Sequence, residues 1–438
     1  MAELGVPRRP SLRGALILAD LVACRRRGYE AVAARQLVAV REMVRHAAVH
    51  VPAYQEIFSA ADADRLQSLD DLATLPIVDK RTFLGRAPAD RAWSPPGITP
   101  RVNSTSGTSG EPLSVPWAPG ASWRNGLQRM LMMADMRIRP WDDQVAVVPQ
   151  QRVRSLATRR VGWTSALAGQ RLALSETEPV EEVAAELIRL RPDWVTAEAH
   201  TLVALGEALG GRLRPRTVTS YGVALDAVMR REIEAAYGTP VLDIYGASET
   251  GQMAWQCRKA DLYHVNHEIV LIEVVDSAGR SLPPGEPGDL VLTGLLNPLL
   301  PVIRYRIGDG GAWADRPCAC GHRLPALTAI AGRTFDWLVD GRGERVAPQQ
   351  LWLSALIGDR IDDVQRYRMA QGPSGAVLVE IVPSDPRFAA DGPDLVRAAV
   401  QRVVGAGTAV EVRLVDAIVT PPGRRFRQFT SERHPGRS

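Results

Sequence analysis

The chain has 438 residues, 45% of them hydrophobic and 23% charged, and its formal net charge is +4. This composition excludes a globally disordered chain, and the length is more than one hydrophobic core usually serves, so we expect two or three domains. The basic residues are spread along the chain without an interleaved aromatic cluster, which disfavours nucleic-acid binding. The four cysteines are too few for a disulfide framework.

The N-terminal segment is predicted to be helical and not to enter a membrane. Apolar residues recur at helical spacing through residues 12–58, and the run Val51–Tyr54 interrupts them because proline disfavours helix at the residue before it. The apolar run from Ala15 to Cys24 contains Asp20, is too short to span a bilayer, and has no signal-peptide cleavage site. We therefore expect a soluble, cytoplasmic protein without a membrane partner.

Helices and strands alternate in the middle of the chain. Strands are predicted at 145–148, 193–196, 216–220 and 241–245, and helices at 181–190 and 227–237. This alternation predicts βαβ units and a largely parallel sheet. Between residues 265 and 305 the pattern changes to antiparallel hairpins, with strands at 269–275 and 289–293 and a turn at 276–279.

The last hundred residues form a separate α+β pattern. It comprises a helix near 348–358, strands near 364–370 and 376–382, a helix near 393–405 and a strand near 409–414. We therefore predict an α/β protein of two domains. Residues 1–335 combine βαβ layers with a β-hairpin subdomain, and residues 336–438 form a small α+β domain.

A loop rich in glycine and hydroxyl residues is the first candidate ligand site. Small side chains let the backbone approach a phosphate closely, and N–H and O–H groups can donate to its oxygens. The Gly-Lys-Ser/Thr ending of a Walker A loop is missing, and the alternative is a surface loop without a ligand. The candidate phosphate-binding residues are Ser104, Thr105, Ser106, Gly107, Thr108, Ser109 and Gly110.

The segment Tyr245-Gly246-Ala247-Ser248-Glu249-Thr250 follows a predicted strand. Open parallel sheets bind ligands beyond the carboxyl ends of their strands. At that position Glu249 can hold Mg²⁺ and the Ser248 hydroxyl can reach a phosphate. The alternative is a strand-to-helix turn in which Ser248 caps the helix.

Two later motifs contain residues suited to nucleotide binding. In Arg304-Tyr305-Arg306-Ile307-Gly308-Asp309 the aspartate follows a glycine and can accept hydrogen bonds from two ribose hydroxyls, or it only stabilises a tight turn. The segment Gly332-Arg333-Thr334-Phe335-Asp336 lies where the C-terminal α+β pattern begins.

Together these four motifs resemble, in order and spacing, the phosphate loop, the Tyr-Gly-x-Thr/Ser-Glu segment, the Tyr-Arg-x-Gly-Asp segment and the hinge of the acyl-adenylate-forming superfamily. Residues 51–54 and 75–80 also match its phenylacetate–CoA ligase-like branch. The resemblance extends from about residue 40 to 430. It implies a large adenylating domain with a small mobile C-terminal domain, and ATP and Mg²⁺ as cofactors.

The resemblance also implies a role for each matched residue. Residues 104–110 would cradle the ATP phosphates, Ser248 would contact the α-phosphate, and Glu249 would hold Mg²⁺. The other matched positions are Tyr245 and Gly246 in the nucleotide-binding segment, Asp309 at the ribose hydroxyls, Arg333 beside the ribose, Asp336 at the hinge, and Tyr221, Gly222, Val223 and Ala224 in the adenine and acyl pockets.

Three cysteines and one histidine are predicted to bind zinc. The set is Cys257, His264, Cys318 and Cys320. Cys₃His is a tetrahedral structural zinc set without an open position for water, and the resembled branch often carries zinc at these places. The alternatives are ordinary thiols beside an unrelated histidine, or His267 or His322 in place of His264. Cys24 is interpreted as an ordinary helix residue.

The C-terminal loop departs from the superfamily's pattern. The superfamily has a characteristic lysine after a glycine, where this chain has Arg424 after Gly423, and no lysine follows Lys259. Arginine is a planar fork and lysine a compact point charge, so the exchange is not conservative in a tight site. Either Arg424 still neutralises charge during adenylation, or adenylation is impaired. The scarcity of lysine along the whole chain favours the first interpretation.

Two functions of different classes follow. The first is ATP-dependent activation of a carboxylic acid as acyl-AMP, followed by transfer to coenzyme A, a carrier-protein thiol or an amine. The second is a catalytically altered nucleotide-binding homologue that acts as a partner subunit. The phosphate loop, Glu249 and Asp309 favour the ligase, whereas the lost lysine favours the partner subunit.

Overall fold

The computed structural model describes residues 12–84, 86–104, 113–148, 171–176, 178–333, 338–343, 345–346, 351, 356–418 and 429–432. Its helices are α1 (Leu12–Arg26), α2 (Tyr29–His50), α3 (Pro52–Gln55), α4 (Ala60–Arg65), α5 (Lys80–Phe83), α6 (Pro88–Arg91), α7 (Pro119–Asp135), α8 (Val180–Leu190), α9 (Ala199–Leu209), α10 (Ala227–Tyr237) and α11 (Phe388–Val404), with 3₁₀ helices at Asp70–Thr74 and Gly358–Asp363. None of the helices in these ranges combines the length and apolar character needed to cross a bilayer.

The strands are β1 (Val78–Asp79), β2 (Arg101–Ser104), β3 (Ser114–Trp117), β4 (Gln144–Val148), β5 (Arg171–Ser175), β6 (Trp194–Ala197), β7 (Thr217–Tyr221), β8 (Val241–Ala247), β9 (Gly251–Gln256), β10 (Tyr263–Val265), β11 (Val270–Val275), β12 (Gly288–Gly294), β13 (Tyr305–Trp313), β14 (Ala326–Arg333), β15 (Leu338–Val339), β16 (Arg345–Val346), β17 (Val364–Gln371), β18 (Val377–Pro383), β19 (Val410–Leu414) and β20 (Phe429–Ser431).

Five parallel strands form one half of the large sheet, in the order β5-β4-β6-β7-β8. Every residue of β6 is buried, as expected for a parallel strand covered on both faces. Helices α8, α9 and α10 place Leu187, Leu202 and Ile233 in one core with these strands. The predicted βαβ units are confirmed, and the carboxyl ends of all five strands lie at one edge of the sheet.

The same sheet continues through antiparallel strands beyond β8. A turn at residues 248–250 reverses the chain into β9, and the order then runs β9-β10-β14-β13-β12-β11. In the predicted turn between β11 and β12, the N–H of Gly279 donates to the carbonyl of Asp276 over 3.0 Å, and Gly279 has a φ of +83°. The predicted hairpins are confirmed, and they are continuous with the parallel strands.

Strands near the C-terminus form a second sheet, in the order β19-β18-β17-β20. Tyr367, Val379 and Phe388 are almost completely buried in its core. The predicted strands of this region are confirmed, but α11 begins five residues before the predicted start of its helix. The physical reason is Phe388, whose fully buried ring adds a helical turn to the core.

Helix α10 contacts this second sheet. Its Val228 lies in the core that the C-terminal strands form, and Nη2 of Arg231 donates to the carbonyl of Ile361 over 2.9 Å. The predicted boundary between residues 335 and 336 lies outside the described residues. The division into two domains therefore stays a prediction.

Candidate active site and metal centre

The antiparallel strands β2 and β3 flank the predicted phosphate loop. Strand β2 ends at Ser104 and β3 begins at Ser114, and the backbones of these two residues pair across the antiparallel ladder. The side chain of Ser104 and residues 105–112 lie outside the described part of the chain, so Thr105 to Gly110 stay predictions. At the other end of β3, the indole N–H of Trp117 donates to the carbonyl oxygen of Ser248, 2.9 Å away. The hairpin is thereby attached to the motif that follows β8.

The Tyr-Gly-Ala-Ser-Glu motif runs from β8 into the turn before β9. Because a strand follows this turn, the alternative interpretation of Ser248 as a helix cap is wrong. Gly246 has no room for a side chain, since a β-carbon there would lie 2.8 Å from the carbonyl oxygen of Gly251. Gly251 has a φ of +89°, a conformation that favours glycine. These two glycines allow the tight reversal that presents Ser248 and Glu249 at the edge of the parallel strands.

Glu249 is a buried carboxylate held by a neutral donor. It is 5% exposed, and its Oε1 accepts a hydrogen bond from the Tyr305 hydroxyl over 3.2 Å. Tyr305 is itself 1% exposed at the start of β13. A tyrosine fixes the carboxylate without neutralising its charge. Oxygen ligands of this kind are those that Mg²⁺ prefers.

Asp309 joins the second and third motifs. Its Oδ2 accepts a hydrogen bond from the Tyr245 hydroxyl over 2.7 Å, and the side chain is 8% exposed. The preceding Gly308 has a φ of +89°, and the β13–β14 ladder shifts register after Asp309. Across that ladder Asp309 pairs with the backbone of Arg333, whose side chain is outside the description. The position remains suited to accept ribose hydroxyls, because a carboxylate has several lone pairs.

The predicted pocket residues follow β7 at the same sheet edge. Tyr221 ends β7, and its hydroxyl donates to the carbonyl of Val147 over 3.1 Å. Gly222 has a φ of +82°, and a β-carbon there would lie 3.0 Å from Oε1 of Glu198, a fully buried residue after β6. The segment that continues into Val223 and Ala224 therefore lies beside the carboxyl end of β6. Sequence reasoning did not identify Glu198.

Four ligating atoms meet beside β10. The Sγ atoms of Cys257, Cys318 and Cys320 and a ring nitrogen of His264 all lie within 4.8 Å of one another. His264 Nε2 is 3.3 Å from Cys318 Sγ and 3.4 Å from Cys320 Sγ, and the sulfurs of Cys318 and Cys257 are 3.5 Å apart. A tetrahedral zinc ion, with bonds of about 2.0–2.3 Å, places its ligand atoms about 3.5–3.8 Å apart. The set therefore fits zinc in number, identity and spacing.

The surroundings of the sulfurs also suit a cation. The backbone N–H of Lys259 donates to Cys257 Sγ over 3.3 Å, and that of His322 donates to Cys320 Sγ over 3.4 Å. Each N–H thus places a hydrogen-bond donor beside a sulfur that would ligate the metal. Burial raises the pKa of the Cys318 thiol to about 12, so this sulfur needs a nearby cation to ionise at neutral pH.

Within the described residues, His264 is the only one of the three candidate histidines whose ring nitrogen belongs to the set with Cys257, Cys318 and Cys320, which we call the sulfur cluster. His267 Nε2 is 3.0 Å from the carbonyl oxygen of Pro325. The ring of His322 stacks on that of His264, with centroids 4.0 Å apart. Cys24, in α1, is buried against Val32 of α2. It does not belong to the sulfur cluster.

Known proteins similar to this chain include several curated ligases, whereas no family profile matches it. The phenylacetate-coenzyme A ligase of Escherichia coli (strain K12) is 27% identical over 325 residues, which cover 70% of this chain and 72% of that protein. The phenylacetate-coenzyme A ligase of Pseudomonas putida is 26% identical over 80% of this chain and 82% of its own length.

Solved structures with the same fold include further ligases. A 2-hydroxyisobutyryl-CoA ligase in the postadenylation state, in complex with R3-HIB-AMP, superimposes with a TM-score of 0.71 at 21% identity, over 91% of this chain and 88% of that one. ATP-bound MatB from Rhodopseudomonas palustris has a TM-score of 0.53 at 18% identity, over 75% and 65%. The chain is thus similar in sequence to phenylacetate-coenzyme A ligases and in fold to an acyl-CoA ligase, in agreement with its resemblance to the phenylacetate–CoA ligase-like branch of the acyl-adenylate-forming superfamily.

The described residues bring three of the four candidate nucleotide motifs together. Tyr245 contacts Asp309, the motif of Glu249 contacts the third motif through Tyr305, and Arg333 pairs with Asp309 through its backbone. The remaining predicted positions, Asp336 and Arg424, lie outside the described residues.

Sequence reasoning missed the contacts that hold the candidate binding residues Ser248 and Glu249 in place. Trp117 is 131 residues from Ser248, and Tyr305 is 56 residues from Glu249. The tyrosine lies within a matched motif, but its partner could not be read from that motif. The tryptophan carries no local signal beyond its position after the phosphate loop.

Proposed function

We propose that this chain is an ATP-dependent ligase that activates a carboxylic acid as acyl-AMP and transfers the acyl group to coenzyme A. The observation that carries the proposal is the contact between Tyr245 and Asp309 at the carboxyl edge of the parallel strands, because it joins two nucleotide motifs 64 residues apart. The names of the similar proteins support the reaction. The curated relatives are phenylacetate-coenzyme A ligases, and the 2-hydroxyisobutyryl-CoA ligase was solved with acyl-AMP and CoA.

The proposed reaction has two steps. A carboxylate oxygen of the acid attacks the α-phosphorus of ATP, an acyl–phosphate bond forms, and pyrophosphate leaves. The thiol of coenzyme A then attacks the acyl carbon, and AMP leaves. The protein's contribution is mainly to position the reactants and to neutralise charge.

We assign the following roles in the first step. Glu249 would hold Mg²⁺, which when bound offsets the charge of the phosphates. Asp309 would accept the ribose hydroxyls, and the backbone of residues 104–110 would donate to the phosphates. Arg424 would supply positive charge where the carboxylate and the α-phosphate meet. Glu198 would lie at the wall of the acyl pocket beside Gly222.

We further propose that Cys257, His264, Cys318 and Cys320 hold one structural zinc ion. The support is the fit of the interatomic distances to tetrahedral geometry and the N–H donors on two of the sulfurs. Four protein ligands leave no position for a reacting water. Zinc would therefore stabilise the β9–β10 hairpin and the loop before β14 without taking part in the ligation chemistry.

Acid-dependent exchange of labelled pyrophosphate into ATP tests the proposed function. We expect exchange with at least one member of a pool of aryl and alkyl acids, and the acyl-AMP should be trapped and identified by mass spectrometry. Adding coenzyme A should then release AMP and yield the thioester, whereas an amine or a carrier protein should not replace it. ATP binding without exchange for any acid would instead support the partner-subunit alternative.

Asp309→Ala is expected to weaken ATP binding by at least about 100-fold, because the two charged hydrogen bonds to the ribose hydroxyls contribute roughly 1.5–3 kcal/mol each and every 1.4 kcal/mol is about tenfold. Calorimetry with ATP and with 2′,3′-dideoxy-ATP measures the effect. The parent should bind ATP more tightly than the dideoxy nucleotide. Asp309→Ala should lose most of that preference, because the ribose hydroxyls of ATP no longer have a charged acceptor.

Tyr245→Phe is the matched control for this prediction. It removes the hydroxyl that contacts Asp309 but leaves the carboxylate. Its preference for ATP over the dideoxy nucleotide should persist. An Asp309→Ala protein that still discriminates between the two nucleotides as the parent does would exclude the ribose assignment.

A further inference from the structure

Asp135, the last residue of α7, faces the histidine of the sulfur cluster. Its Oδ2 lies 3.7 Å from Nδ1 of His264, whereas Nε2 of the same ring faces the sulfurs of Cys318 and Cys320. Nδ1 is buried and makes no hydrogen bond within the described part of the chain. The two ring nitrogens therefore face different neighbours, a carboxylate on one side and thiols on the other.

We propose that Asp135 is the positioning carboxylate of the Cys₃His centre: it accepts a hydrogen bond from Nδ1–H of His264 and so directs the lone pair of Nε2 toward the metal. This inference rests on the proposed zinc centre and adds a residue outside the ligand set. Metal-bound histidines commonly donate their second ring N–H to a carboxylate, which fixes the tautomer and the ring orientation. Closing 3.7 Å to a hydrogen-bond distance of about 2.8 Å needs a movement of under about 1 Å.

Arg25 and His322 are the neighbours of Asp135 that could compete for its carboxylate, and both leave it available for this role. The guanidinium of Arg25 binds both carboxylate oxygens of Glu268, with contacts of 2.5 and 2.6 Å. The ring of His322 also comes within 4.8 Å of the Asp135 carboxylate, but it is nearly parallel to the His264 ring, at an angle of 13°. His322 thus packs against the face of the His264 ring, while the Asp135 carboxylate lies beside its Nδ1 atom.

Helix α7 connects this contact to the candidate nucleotide site. Asn125 lies ten residues before Asp135, about 15 Å along the helix. It touches Gly251 so closely that a β-carbon there would lie 2.7 Å from Nδ2 of Asn125. Gly251 directly follows the turn that contains Glu249. The Asp135–His264 contact therefore anchors the end of the helix that supports this turn.

The test measures the release of zinc from the full-length protein to a chromogenic chelator. Asp135→Asn keeps the size of the side chain and removes its charge, and zinc release should be about 10- to 100-fold faster than in the parent. Asp135→Glu retains a carboxylate and should restore part of the difference. In the Co²⁺-substituted protein, Asp135→Asn should also shift the visible ligand-field bands, because the field of the histidine ligand changes.

Asp261→Asn is the matched control. Asp261 lies in the same β9–β10 hairpin, but its carboxylate accepts a hydrogen bond from Gln256 over 2.9 Å. Its zinc release should equal that of the parent. A parent protein without zinc would contradict the metal centre and this inference together. A zinc-loaded parent whose Asp135→Asn variant releases metal as slowly as Asp261→Asn would overturn the positioning role alone. Faster release in His322→Phe but not in Asp135→Asn would also overturn it.

Discussion

Cys318→Ser is expected to remove zinc from the protein and to lower its thermal stability. The parent should carry about one zinc per chain, as a single four-ligand set requires, and the variant close to none. Cys318 lies at the centre of the cluster, because its sulfur is within 3.5 Å of both Cys257 Sγ and His264 Nε2. A serine hydroxyl is a poor replacement for a thiolate ligand. Structural zinc contributes folding free energy, so its loss should lower the melting temperature by several degrees or more.

Cys24→Ser is the matched control for this prediction. Cys24 is also a buried cysteine, but its sulfur is outside the cluster. The control should keep its zinc, and any change in melting temperature should reflect packing in α1 alone. Metal analysis by mass spectrometry and thermal scans at one heating rate give both quantities. A parent protein without zinc, whose thiols all titrate in the native state, would contradict the assignment.

Local sequence patterns predicted most of the regular structure. Short strand-like segments that alternate with helical ones predicted β4, β6, β7 and β8 to within one or two residues. The turn at 276–279 was predictable since Gly279 adopts a positive φ that other residues rarely do. The predicted start of α11 was wrong because the burial of Phe388 depends on the tertiary core and not on the local sequence pattern.

The candidate site was predictable only in part. The motifs identified Tyr245, Glu249 and Asp309, and the cysteine spacing identified the sulfur cluster. The side chains that hold these groups could not be predicted, since each comes from a distant strand or helix. Asp135 is an example: a carboxylate at the end of a helix has no local signal, and its neighbour His264 is brought to it only by the order of β9, β10 and β14 in the sheet.

Arg424→Ala is expected to slow acyl-adenylate formation by about 100- to 1,000-fold, the loss typical when one preorganised charge-stabilising group is removed from a transition state. The physical reason is that an anionic carboxylate must approach an anionic α-phosphate. We propose that the guanidinium of Arg424 offsets this repulsion. Single-turnover formation of acyl-AMP in the presence of excess enzyme measures the step directly.

Arg424→Lys should retain or raise the rate of adenylation, because a compact ammonium matches the charge that the superfamily places at this position. Capture of pre-made acyl-AMP by coenzyme A should change little in any Arg424 variant. The small C-terminal domain, which we propose rotates about Asp336, would carry the loop away for that step. The strands on either side of the loop, β19 and β20, belong to the C-terminal sheet and would move together with it.

Arg425→Ala and Arg427→Ala are the controls within the same loop, and both should adenylate at close to the parental rate. They remove the same charge from neighbouring positions, so they separate a specific role of Arg424 from a general effect of the basic loop. If Arg424→Ala forms acyl-AMP as fast as the parent, another residue must neutralise the α-phosphate. If all three variants lose adenylation equally while thioester formation from acyl-AMP persists, the loop acts through its total charge, and Arg424 has no special position.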